Sequence, residues 1–71
     1  MTTHTHNFEN SSMLDSCSYN EDEKELTVTF KNGKDYIYEG VSKEEYEGFV
    51  SAKSAGQYFG SQIKGRYKVK S

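Results

Sequence analysis

Proline and tryptophan are missing from this 71-residue chain, and cysteine occurs once, as Cys17. A single thiol excludes an internal disulfide framework and a zinc site built from cysteines. A free thiol also suits a reducing compartment, so the sequence reads as cytoplasmic. No apolar run approaches the roughly 18 residues of a membrane span, and the first residues lack the apolar stretch of a signal peptide. The expectation is a soluble protein with no membrane partner. Histidine occurs twice, as His4 and His6, both in a polar opening segment, so neither Cys17 nor any serine in the remainder has an evident base. Two histidines without further ligands at a fixed spacing do not make a metal site. There is no Gly-rich phosphate loop and no GxSxG elbow. Together these absences point away from an enzyme and imply no cofactor.

Aliphatic residues are few, whereas 6 Tyr and 4 Phe supply ten rings. Each ring buries roughly 150–250 Å², so aromatics must form much of the core. The length allows one domain, and a domain this small buries only about 60% of its unfolded surface. The formal charge of −2 conceals a division. Residues 1–50 hold 4 lysines against 11 carboxylates, whereas residues 51–71 hold Lys53, Lys64, Arg66, Lys68 and Lys70 and no acid. An acidic body with a basic end draws phosphate to that end.

Residues 1–10 are polar, show no period, and read as a flexible tail. Around Ser12–Tyr19, Cys17 and Tyr19 alternate with Ser16 and Ser18, which predicts a half-buried strand. Glu25–Lys31 is the clearest strand, with Leu26, Val28 and Phe30 on one face and Thr27 and Thr29 on the other. Lys34–Gly40 is the returning strand of a hairpin. A two-residue loop at Asn32-Gly33 would put Tyr36 and Tyr38 beside the threonines. A three-residue loop, Lys31-Asn32-Gly33, would put both rings on the apolar face. The second buries more, at roughly 1.5–3 kcal/mol per large side chain, and is the register expected here.

Ser42–Ser54 reads as a helix with Ser42 as N-cap and Glu45 completing a capping box. Tyr46, Phe49, Val50 and Lys53 follow the i, i+3, i+4, i+7 pattern. Ser54 caps a second, shorter helix through Gly56, Tyr58, Phe59 and Ile63. In the basic end, Arg66, Lys68 and Lys70 alternate with Tyr67 and Val69, which fits either a short edge strand or a tail. The aromatic and basic residues interleave here, a mixture suited to stacking a base and neutralising a phosphate. The candidate ligand-binding residues are Lys53, Ser54, Gly56, Tyr58, Lys64, Arg66, Tyr67 and Lys68. Cys17, on an inward strand face, reads as a buried and inert thiol.

Ser11-Ser12-Met13-Leu14, Ser16-Cys17-Ser18-Tyr19, Leu26–Phe30, Gly33, Tyr36-Ile37-Tyr38, Ala52-Lys53-Ser54-Ala55-Gly56, Tyr58-Phe59 and Ile63-Lys64 together resemble the KTSC domain. That family is named for the C-terminus of certain lysyl-tRNA synthetases and also occurs as small stand-alone bacterial and phage proteins. The resemblance covers residues 11–67. Ser42, Asn20 and Gly60 stand where the family usually has Pro, Asp and Asn, and Gly60 removes an amide that could have served a ligand. The synthetase association implies RNA as a partner. The expected organisation is a tail over 1–10, a KTSC-like domain over 11–67 and a basic tail over 68–71. The expected fold is α+β, a small antiparallel three-stranded sheet followed by two short helices packed on one face. Two functions are carried forward: a non-catalytic module binding RNA or a nucleotide through its basic end, and a module that binds another protein or itself, with aromatic anchors.

Overall fold

The alternation of Leu26, Val28 and Phe30 with Thr27 and Thr29 forms the central strand, β3 (Glu25–Phe30). The structure is a computed structural model describing residues 3–9 and 11–70. In it β3 pairs antiparallel with β2 (Leu14–Asn20) on one side and β4 (Asp35–Glu39) on the other. The β3–β4 hairpin sets Leu26 against Tyr38 and Val28 against Tyr36, the register of the three-residue loop. The Phe30 amide donates to the Lys34 carbonyl at 2.8 Å, the Gly33 amide donates back to the Phe30 carbonyl at 3.0 Å, and Gly33 takes a φ of +90°. Only glycine adopts that backbone freely, so the turn residue sets the face on which both tyrosines lie.

The sheet has five strands in the order β1-β2-β3-β4-β5, all antiparallel, rather than the three expected from the sequence. The segment taken for a flexible tail holds β1 (Thr3–Asn7), which pairs along β2 from Thr3 opposite Asn20 to Asn7 opposite Ser16. The basic tail holds β5 (Lys68–Val69), set against Glu39 and Tyr38 of β4. Met1, Thr2, Asn10 and Ser71, to which the tail expectation also applied, lie outside the described residues. Both added strands are edges, where one neighbour suffices and hydrophobic alternation is weak. In β1 the residues facing the core are His4 and His6, opposite Tyr19 and Cys17.

One face of the sheet carries Leu14, Cys17, Tyr19, Leu26, Val28 and Tyr38, all buried, and the helices cover it. Helix α1 (Lys43–Ser51) presents Tyr46 and Phe49; Tyr46 stacks on Tyr19 at 4.9 Å between ring centres. The Tyr19 hydroxyl donates to the Val41 carbonyl at 2.6 Å, which satisfies a buried phenol and pins the chain just before α1. Helix α1 ends before the expected Ser54, because Ala52 is already extended. Helix α2 (Ala55–Tyr58) then widens into a π-helical turn over Phe59–Ile63, closed by the Lys64 amide donating to the Phe59 carbonyl at 2.7 Å. That turn places both Phe59 and Ile63 in the core. Burial pushes the Cys17 thiol up to about 12, so its thiolate is not populated near neutrality. Among the described residues, no helix is long and apolar enough to cross a membrane.

Candidate ligand-binding surface

The eight candidate residues do not form one cluster. Lys53, Ser54 and Gly56 follow from the way α1 stops and α2 starts. Ser54 caps α2, its hydroxyl oxygen accepting from the Gln57 amide at 3.3 Å, and this leaves Lys53 exposed on the link. Across from the link runs the β1–β2 connection, where the Ser11 hydroxyl oxygen accepts from the amides of Met13 and Leu14. Between the two lies an open cleft of about 520 Å³, whose polar wall includes Ser11, Ser12, Lys53, Ser54, His6 and Glu9.

Tyr58 serves a different purpose. Its ring is half-buried beside Phe49, and its hydroxyl donates to the Glu45 carboxylate at 3.0 Å. Burial, then the adjacent carboxylate, holds this phenol above its ordinary pKa. Glu45 thus ties α1 to α2, while the other half of the capping signature operates as expected: Ser42 Oγ accepts from the Glu45 amide at 3.1 Å. The tie needs glycine at 48, because a Cβ there would stand 2.6 Å from Tyr58 Oη. Gly48→Ala gains about 1 kcal/mol of helix propensity. It also drives the phenol off Glu45 and forfeits a charge-assisted hydrogen bond worth about 1.5–3 kcal/mol. A net loss near 1 kcal/mol is expected in urea unfolding. In a Tyr58→Phe background, where the hydroxyl 2.6 Å from that Cβ is gone, the same substitution should stabilise by up to about 1 kcal/mol, and an equal cost in both backgrounds would refute the tie.

Lys64 lies elsewhere, on the rim of a second cleft of about 560 Å³ that opens between the β3–β4 hairpin and the π-helical turn. Its floor is aromatic: Phe30, Tyr36, Tyr38 and Phe59. Their rings meet edge to face, Phe30 with Tyr36 at 5.6 Å, Phe30 with Phe59 at 5.3 Å and Tyr38 with Phe59 at 5.5 Å. Met13 and Val69, the exposed large hydrophobic residues among those described, both border this cleft. Its charged lining residues are Lys34 and Lys64, with no carboxylate, in a chain holding 11 acids. Gly60 and Gly65 form part of the wall, and neither would meet an atom within 4 Å if it carried a Cβ, so the groove is open there.

The remaining candidates face other partners. Arg66 donates to the Gln62 side chain at 2.8 Å, Tyr67 is half-buried against the core, and Lys68 sits in β5 opposite Glu39. Sequence reasoning missed Met13, Phe30, Lys34 and Val69 as lining residues. A signal for Lys34 was present, since the three-residue loop brings it to the end of the strand that carries Tyr36 and Tyr38. No local pattern marks Met13 or Val69, because Met13 lies just before β2 and Val69 in β5, and only the fold brings these distant segments to one cleft.

The sequence matches the KTSC domain over residues 10–67. The fold is similar to the crystal structure of a KTSC domain protein from Yersinia pestis, with 29% sequence identity and a TM-score of 0.88 over 97% of this chain and 96% of that one. No curated protein matches the chain.

Proposed function

This chain belongs to the KTSC domain family, and on that premise we propose that it is a non-catalytic binding module for a nucleotide unit, free or within an RNA strand, held in the aromatic cleft. The observation that carries this reading is the lining of that cleft. The half-buried rings of Phe30 and Tyr36 and the exposed apolar side chains of Met13 and Val69 stand beside Lys34 and Lys64 with no acid among them. Such a site suits a ligand with a flat apolar part joined to an anion. A base stacks on an aromatic face for about 1–3 kcal/mol, and an ammonium draws the phosphate. The acidic remainder of the chain disfavours duplexes, which need a basic face across many phosphates.

The test is calorimetric titration with uridine 5′-monophosphate and with a short single-stranded RNA. Two phosphate-neutralising lysines predict about a sevenfold loss of RNA affinity between about 50 and 200 mM salt. Lys34→Glu and Lys64→Glu are each expected to weaken both probes about tenfold or more, the loss of one charge-assisted hydrogen bond. Both lysines are exposed, so the fold tolerates these changes. Affinity indifferent to salt and to both reversals, or capture of an apolar peptide in place of either nucleotide, would overturn the reading.

A further inference from the structure

The two clefts share a wall, and that wall is Met13. Its side chain is exposed and lies over the start of α2, where its methyl would be 3.5 Å from a Cβ placed on Gly56. Methionine is unbranched and turns about three bonds, so it is a divider that can fold aside and still offer an apolar surface to whatever crosses it. Each cleft, at about 520 and 560 Å³, falls in the range that holds one small organic molecule. Their chemistries differ in a definite order. The second is aromatic with two lysines. The first is polar, with Lys53, the hydroxyls of Ser11, Ser12 and Ser54, and a single carboxylate, Glu9. The Ser11 and Ser54 oxygens accept backbone hydrogen bonds, which leaves their O–H groups to donate.

We infer that the clefts are two stations of one track across Met13, and that the ligand class is a single strand of at least two nucleotides. One base lies on the aromatic floor with its phosphate at Lys34 and Lys64. The neighbouring nucleotide passes over Met13 and sets its ribose and phosphate among the serine hydroxyls and Lys53. This rests on the nucleotide reading of the aromatic cleft and adds a claim about length. It also gives Lys53, Ser54 and Gly56 a role at the same ligand as Lys64, although they line a different cleft.

The experiment compares uridine 5′-monophosphate, the 5′-phosphorylated uridine dinucleotide and the tetranucleotide on the full chain, in parent and Lys53→Glu forms. In the parent, the dinucleotide should bind at least about tenfold tighter than the mononucleotide, the yield of one further charge-assisted contact, and the tetranucleotide should add little. In Lys53→Glu the mononucleotide affinity should be unchanged and the dinucleotide gain lost. Equal affinity for mono- and dinucleotide would overturn the track while leaving the aromatic site in place. So would an equal weakening of both probes by Lys53→Glu. If neither probe bound, the reading of the aromatic cleft would fall, and the track with it.

Discussion

Phe49→Ala is expected to remove roughly half of the domain's stability and to lower its urea midpoint accordingly. Phe49 is fully buried and stands where three parts of the molecule meet. Its ring is 5.1 Å from Phe8 after β1, 6.0 Å from Tyr58 of α2 and 6.2 Å from Phe59 of the π-helical turn. Truncation to alanine removes the transfer free energy of the ring and leaves a cavity that rigid aromatic neighbours cannot close, at about 3–5 kcal/mol. A chain of 71 residues has roughly 4–10 kcal/mol of stability in all. The substitution therefore removes roughly half of it at central values, and the urea midpoint should fall by about the same fraction. Phe49→Leu keeps much of the volume and should cost about half as much or less. A midpoint for Phe49→Ala within the error of the parent would show that α1 does not close the core in this way.

What was legible in the sequence follows from how local the physics is. The register of the β3–β4 hairpin could be read because Gly33 must take the positive φ, and because one register buries Tyr36 and Tyr38 while the other strands them. The start of α1 could be read because Ser42 reaches an amide only three residues away. Glu45 shows where that logic stops: its amide serves the cap, but its carboxylate goes to Tyr58, thirteen residues on. The π-helical turn left no local mark, since Gly60 and Ser61 are poor residues for either helix. Yet that turn carries Phe59 to the cleft floor and sets Lys64 at the rim. The candidate site was legible residue by residue but not as a place. The basic residues Lys64, Arg66 and Lys68 alternate closely in sequence, whereas in space Lys64 borders the aromatic cleft and Arg66 and Lys68 turn to Gln62 and the sheet edge.

The segment before β2 gives the second large effect. A flexible tail could be removed with less than about 0.5 kcal/mol of change, but a chain beginning at Ser11 is expected to lose at least about 3 kcal/mol and to self-associate. It lacks β1, whose His4 and His6 face the core opposite Tyr19 and Cys17. It also lacks Phe8, only 8% exposed, whose amide donates to the Asp15 carbonyl at 2.9 Å. Burial of one ring alone is worth about 3 kcal/mol on truncation. Removal further makes β2 an edge, and most of β2 beyond Asp15 (Ser16-Cys17-Ser18-Tyr19-Asn20) is uncharged, so it offers unpaired backbone groups to a neighbouring chain. Urea unfolding would report the first effect and sedimentation the second. Within the full chain, Phe8→Ala should reproduce most of the stability loss without the self-association, whereas Thr3→Ala, at an exposed position of the same strand, should change almost nothing. If the shortened chain unfolded at the parent's midpoint and stayed monomeric, Thr3–Phe8 would not belong to the cooperative unit, and the sheet would end at β2.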